Sequence, residues 1–254
     1  MSLEAFRLDG RVALVTGAGG GLGEGICLSL AAAGAAVACL DVGEDKAEAR
    51  AEQVRAAGGR AVAVAADVSS RASVEAAVER VTSELGGLDV LVNNAAVYPR
   101  RAWTEIAEEE WDRVLAVNLK GYFLCARAAL PHLRAGGRGR ILNVASITAF
   151  IGLANLLDYV SSKGGVIGFT RALARELGPE GITVNAISPG AFPTDAEKIH
   201  PNPEEYNRWI LDQQSLKRRG TPDDIGNLVV FLAGDGASFL TGQTIEIDGG
   251  WFLH

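Results

Sequence analysis

The chain is short of the residues that would hold a metal ion or a covalent cross-link. Its three cysteines, Cys27, Cys39 and Cys125, are scattered through apolar surroundings. They offer neither a ligand spacing nor a disulfide framework, so buried reduced thiols in a cytoplasmic protein are expected. The three histidines, His132, His200 and His254, lie far apart and show no metal cluster. Positive charge is also in deficit, with 24 Lys and Arg against 31 Asp and Glu, a net charge of -7. That balance argues against nucleic acid and anionic membranes as partners. No apolar run reaches the roughly 18 residues of a membrane span. The longest candidate, Leu28 to Leu40, is broken by Ser29 and Gly34. The first seven residues lack a basic region followed by an apolar one, so no signal peptide is expected.

What is present suits a soluble α/β protein. The 254 residues are 48% hydrophobic and 22% charged, enough for a sizeable core. Arg11 to Thr16 reads as a buried strand, followed at once by the glycine cluster Gly17-Ala18-Gly19-Gly20-Gly21-Leu22-Gly23 and then by a helix from Glu24 to Ala33. Strand, glycine turn and helix in that order make a phosphate site. Glycines admit the anion to the backbone amides, and the helix N-terminus offers free N–H groups. The spacing Thr16-Gly17-x-x-x-Gly21-x-Gly23 is not the strict G-x-G-x-x-G, and a flexible turn is the plain competing reading.

A second strand, Ala36 to Leu40, ends at Asp41, about 20 residues past the glycines, where an acid accepts hydrogen bonds from an adenosine ribose. A carboxylate there opposes a 2′-phosphate, and Lys46 is the nearest base, which favours NAD over NADP. The pattern then repeats: a helix about 44–57, a strand 61–66 ending at Asp67-Val68, a helix capped by Ser69 or Ser70, and a strand 88–92 followed by Asn93-Asn94-Ala95-Ala96. A long helical region runs about 105–133, where Asn118 beside Gly121 predicts a local irregularity or a polar contact. A strand 140–146 ending at Ser146, a helix about 159–177 and a strand 182–187 follow, then Ser188-Pro189-Gly190, a short helix 204–214, a helix 222–233 and a strand 243–247. Such alternation predicts a parallel sheet with helices on both faces and ligands at the carboxyl ends of the strands, where Gly17, Asp41, Asp67 and Asn94 fall. No linker, domain break or repeat interrupts it.

Tyr159 and Lys163 stand one helical turn apart on the helix about 159–177. A phenol titrates near ~10 and is a poor base at neutral pH, but an adjacent ammonium favours the phenolate. A surface Tyr and Lys on an ordinary helix is the alternative.

Taken together, Thr16-Gly17-x-x-x-Gly21-x-Gly23, Asp67-Val68, Asn93-Asn94-Ala95, Asn118, Ser146, Tyr159-x-x-x-Lys163, Pro189-Gly190 and Asp248-Gly249-Gly250 resemble the short-chain dehydrogenase/reductase family over essentially the whole chain. Ala96 stands where that family usually has glycine. The resemblance implies a single Rossmann-type, doubly wound domain over residues 1–254, with about seven strands and a substrate lid at about 190–215. It implies that Tyr159 is the general acid/base and that Lys163 lowers its pKa and holds the nicotinamide ribose. Ser146 would bind the substrate oxygen, and Asn118 would hold a water linking Lys163 to solvent. Gly17, Gly21, Leu22 and Gly23 would surround the pyrophosphate, Asp41 would take the adenosine ribose, and Asp67 and Val68 the adenine. Asn94, Ala95, Pro189 and Thr194 would lie along the rest of the cofactor.

The reaction implied is NAD-dependent interconversion of a secondary alcohol and a ketone with an apolar or aromatic portion. Tyr98, Phe150, Ile151, Leu153, Leu156, Phe192 and Trp209 are the expected walls, and Lys198, His200 and Arg208 are weaker candidates for a polar contact. Resemblance to members labelled oxoacyl-carrier-protein reductases, which usually prefer NADPH, leaves that activity as the alternative. A non-catalytic dinucleotide sensor is the third reading; it could dispense with Ser146, Tyr159 or Lys163, and all three are present. A homotetramer or homodimer is expected from the family.

Overall fold

The computed structural model describes residues 3–194 and 202–253. The strands are β1 (Val12–Thr16), β2 (Ala36–Asp41), β3 (Ala61–Ala65), β4 (Val90–Asn93), β5 (Arg140–Val144), β6 (Thr183–Pro189) and β7 (Thr244–Ile247). All pair in parallel, in the order β3-β2-β1-β4-β5-β6-β7. The helices are α1 (Gly23–Ala32), α2 (Glu44–Ala56), α3 (Arg71–Leu85), α4 (Glu108–Leu115), α5 (Gly121–Gly136), α6 (Thr148–Ile151), α7 (Leu157–Leu177), α8 (Pro203–Gln213) and α9 (Pro222–Ala233).

Parallel strands require crossover helices, and these cover both faces, which is why the central strands read as unbroken apolar runs. Successive side chains of one strand still point to opposite faces. Val12 and Leu14 of β1 pack with Val78 of α3, Leu133 of α5 and Leu177 of α7. Ala13 and Val15 pack with Ile26 and Leu30 of α1, Val54 of α2 and Val229 of α9. The order reverses between β1 and β4, and this switch point opens a crevice at their carboxyl ends.

Helix boundaries follow local chemistry. The Ser70 hydroxyl caps α3, and Gly86 closes it in the left-handed conformation (φ 90). Thr221 and Asp224 form a reciprocal capping box on α9. The long region about 105–133 differs from a single helix. It begins at Glu108, passes through a π-helical turn at Ala116–Lys120 and runs on as α5 to Gly136. The irregularity expected at Asn118 is this wider turn, of the kind that often marks functional positions. Two further boundaries shift. β5 stops at Val144, so Ser146 lies just past the strand, and α7 starts at Leu157, so Tyr159 sits in its first turn. Among the described residues no helix is long and apolar enough to cross a membrane.

Candidate active site

The turn after β1 meets the turn after β4. Gly17 has φ +63, and a Cβ there would stand 2.7 Å from the Ala95 Cα, so only glycine allows the approach. Asn94 fastens the two turns. Its side-chain amide donates to the carbonyls of Thr16 and Gly17, both at 3.0 Å, and its backbone N–H donates to the Thr16 hydroxyl at 3.0 Å. From this seam a cleft of about 540 Å³ runs across the strand ends. At one end it is lined by Gly17, Gly20, Gly21, Leu22, Asp41 and Lys46, and at the other by Ser146, Tyr159, Leu156, Phe192 and Trp209. Asn94, Ala95, Lys163, Pro189 and Thr194 border the stretch between. A larger recess of about 850 Å³, lined by Phe150, Arg171, Arg175 and Phe252, contains none of the Tyr159–Lys163 group.

The chain's own groups suit a dinucleotide. The amides of Gly20, Gly21 and Leu22 lie at the N-terminus of α1, where partial positive charge collects. Half-buried Asp41 is held by N–H groups from Gly19 at 3.0 Å and Gly43 at 3.1 Å. A carboxylate has about four acceptor sites, so capacity remains for ribose hydroxyls. Gly23 lies beneath the turn, where a Cβ would come 2.5 Å from the Gly17 carbonyl.

Tyr159 is half-buried and Lys163 fully buried. The Lys163 ammonium donates to the Val144 carbonyl at 2.6 Å and the Tyr122 hydroxyl at 3.1 Å, and it lies 5.7 Å from the centre of the Tyr159 ring. Burial raises the Tyr159 phenol above its ordinary value, and a hydrogen bond with Ser146 partly opposes this. Burial lowers Lys163 to about 7. The depression of Tyr159 expected from the neighbouring ammonium is therefore not the dominant effect in the chain itself. Desolvation outweighs it, because the ammonium turns toward Tyr122 and Val144.

Ser146 accepts hydrogen bonds from the Thr148 hydroxyl at 2.9 Å and the Thr148 N–H at 3.2 Å. With its lone pairs so engaged, its proton is left for donation toward Tyr159 or a substrate oxygen. Tyr98 packs on Tyr159, with ring centres 5.4 Å apart.

Not every expected residue reaches the cleft. Phe150 lines the separate recess and stacks on Phe252 at 4.9 Å, because it lies on the other side of α6 from Thr148 and Ile151, which line the cleft. Asp67 is exposed and outside the described cleft lining, and its Oδ1 accepts from the Ser69 N–H and hydroxyl, at 2.8 and 2.7 Å. Val68 is buried in the core, against the position where a Gly121 Cβ would stand. Asn118 is buried with its amide committed elsewhere. It accepts from the Val97 N–H and donates to the Val97 carbonyl, both at 2.8 Å, and donates to the Ser162 hydroxyl at 3.1 Å. Its side chain makes no direct hydrogen bond to Lys163 among the described residues and braces the segment after β4 against helix α7. Lys198 and His200 lie outside the described residues.

Sequence reasoning missed Tyr122, Thr148, Arg100, Tyr206 and Trp251 as parts of this constellation. Trp251 meets Trp209 edge-on at 5.3 Å, and Tyr206 stacks on Trp209 at 5.9 Å. An aromatic residue on each of two distant segments was the available signal, but nothing local pairs them.

Comparison with known proteins gives the family of the chain. The family profile described as Enoyl-(Acyl carrier protein) reductase matches residues 17–252. A subunit of a hydroxy(phenyl)methylsuccinyl-CoA dehydrogenase of Thauera aromatica is 40% identical over 244 residues, 96% of this chain and 97% of that protein. A 3-oxoacyl-acyl-carrier-protein reductase of Staphylococcus aureus is 41% identical over 242 residues, 95% and 98% of the two chains. The crystal structure of a short-chain type dehydrogenase/reductase from Mycobacterium marinum superposes with a TM-score of 0.92 at 33% identity, covering 99% of both chains. The chain belongs to the short-chain dehydrogenase/reductase family, whose members bind a nicotinamide dinucleotide, and is an oxidoreductase acting on CH–OH and ketone groups.

Proposed function

We propose that this short-chain dehydrogenase/reductase uses NAD to oxidise a secondary alcohol with an apolar or aromatic body, and runs the reverse reduction. The observation that carries the reading is the Ser146–Tyr159–Lys163 cluster at the apolar end of a cleft whose other end holds the Asp41 carboxylate. A bound nicotinamide dinucleotide supplies a hydride acceptor for the carbinol carbon. The chain's residues do the rest. Ser146, oriented by Thr148, donates to the substrate oxygen and fixes the carbinol carbon in place. Tyr159 takes the hydroxyl proton as the carbonyl forms, and returns one in the reverse direction. A phenolate is costly where burial raises the phenol, so the positive charges of Lys163 and of the oxidised nicotinamide are assigned to offset that cost.

Tyr122 and the Val144 carbonyl hold the Lys163 head in reach of the nicotinamide ribose. Asn118 braces Val97, and thereby Tyr98, against α7. Asp41 selects the unphosphorylated adenosine ribose, Gly17, Gly21 and Leu22 hold the pyrophosphate, and Asn94, Ala95, Pro189 and Thr194 border the remainder. Tyr98, Leu156, Phe192 and Trp209 line the substrate end. The segment about 190–215, carrying α8, acts as the lid of a single catalytic domain over residues 1–254. We assign the protein to the cytoplasm, as a homotetramer or homodimer.

Steady-state oxidation of a panel of secondary alcohols with NAD tests the reading. It fails if Tyr159→Phe keeps full activity on a verified substrate. The second reading, an oxoacyl-type reductase using NADPH, is favoured by one observation: Lys46 lines the cleft beside Asp41, where it could meet a 2′-phosphate. Titration with NAD and with NADPH separates the two, and tighter binding of NADPH would reverse the cofactor assignment.

A further inference from the structure

The inference that follows rests on Tyr159 marking the reacting end of the cleft. Among the described residues, four charged side chains line that cleft: Asp41, Lys46, Arg100 and Lys163. Three are spoken for by position or contacts. Asp41 and Lys46 sit together at the far end, where both would crowd a Cβ placed on Gly19. Lys163 is buried and bonded to Tyr122 and Val144. Arg100 is exposed and makes no hydrogen bond or ion pair with any described residue, whereas its neighbour Arg101 pairs with Glu110.

The backbone that carries Arg100 is pinned on both sides. Val97, before it, exchanges two hydrogen bonds with Asn118. Tyr98 packs on Tyr159. After it, the Arg101 N–H donates to the Asn155 carbonyl at 3.0 Å, and Asn155 adopts the left-handed conformation, φ 65. Asparagine tolerates that conformation better than most residues. A guanidinium is thus presented from a fixed segment beside the reacting end, and a fixed segment lowers the ordering cost of an ion contact.

The surroundings define what the cation would meet. The chain has an excess of acidic residues, yet the described cleft lining contains Asp41 alone as a carboxylate, and it lies at the other end. The same lining includes Leu153, Leu156, Tyr206, Trp209 and Trp251. An apolar wall with one guanidinium that has no partner among the described residues fits an amphiphile with an apolar body and an anionic head. A single guanidinium fork matches a carboxylate by two parallel N–H···O bonds.

We propose that Arg100 is a specificity-determining residue that selects hydroxy acids, binding the substrate carboxylate while the carbinol carbon lies at Ser146 and Tyr159.

The test uses mandelate, 3-hydroxy-3-phenylpropanoate and 4-hydroxy-4-phenylbutanoate, each with its methyl ester, as substrates with NAD. The series places the carboxylate at three reaches from the reacting carbon. In the wild-type protein at least one acid is expected to exceed its ester in kcat/KM by ~10-fold or more, as for a charge-assisted hydrogen bond. In Arg100→Gln that preference collapses through KM, with Arg100→Lys between the two. Added salt erodes the wild-type preference, since the site is open to water.

Binding of 4-phenylbutanoate, followed by tryptophan fluorescence in the presence of NAD, gives a readout that needs no turnover. Arg100→Gln should weaken it by ~10-fold. Acid and ester handled alike by the wild type, or an acid preference and a 4-phenylbutanoate affinity that both survive Arg100→Gln, would overturn the proposal. If none of these alcohols is oxidised but 4-phenylbutanoate binding depends on Arg100, the carboxylate site stands and the alcohol-oxidising reading falls.

Discussion

The two ends of the sheet treat buried charge in opposite ways. At the amino ends, Arg11 and Arg140 are almost fully buried, and both reach the Asp235 carboxylate. Arg11 also donates to the Ala233 carbonyl at 2.8 Å. Asp89, just before β4, accepts from the Val12 N–H at 2.9 Å and from Arg138 at 3.1 Å. Arginine beside Asp235 holds its carboxyl below the ordinary value. At the carboxyl ends, Lys163 is equally buried, but its acceptors are neutral and burial lowers it to about 7. Compensated charge knits strands and helices together. Uncompensated charge destabilises its site but leaves titratable groups where a substrate can use them.

Tyr159→Phe should separate the ends most sharply. It removes the proton-transfer group, so turnover should fall by ~10²–10⁴-fold with little change in thermal midpoint. Steady-state kinetics beside a melting curve checks both. If the midpoint falls and the rate does not, the phenol is a packing element and the contrast breaks.

Lys163→Met should cost activity of similar order and also change how stability depends on pH. In the native chain Lys163 loses its proton near 7, whereas the unfolded chain keeps it until about 10.5. Between those values unfolding takes up a proton, so raising the pH stabilises the native state. Urea midpoints from pH 7 to 9 should therefore rise more in the wild type than in Lys163→Met.

Asp235→Ala acts at the opposite end. It leaves Arg11 and Arg140 without their carboxylate, and should lower stability by about 1–3 kcal/mol while kcat stays unchanged. The Asp235 carboxylate is more than half exposed, which keeps the figure below that of a fully buried pair. Because Asp235 is held low, its contribution is full above the ordinary carboxylate value and is lost as pH falls below it. The acid limb of a denaturation series should flatten in the variant.

The smallest effect is expected from Thr221→Ala, which removes the α9 capping box next to neither charge cluster. A loss of about 1 kcal/mol, read from denaturant midpoints, would show that ordinary helix capping accounts for it.

What the sequence determined by itself is whatever depends on near neighbours in the chain. Strand, glycine turn and helix at Val12 to Ala32 follow from apolar runs, missing side chains and helix propensity. So do the one-turn spacing of Tyr159 and Lys163 and the irregularity at Asn118. Tertiary structure decided the partners. Tyr122 and Val144 hold Lys163 from α5 and β5, across 41 and 19 residues. Asn118 was legible as an oddity, but its partners Val97 and Ser162 were not. Phe150 read as a cleft wall because it follows Ser146 closely, and the turn of α6 sends it to Phe252 instead. Nothing local singles out Arg100; contacts of Tyr98, Asn118 and Asn155 fix its segment beside Tyr159. Periodicity and turn chemistry record where the backbone goes. Long-range packing and the desolvation it imposes decide which side chains meet and how they titrate.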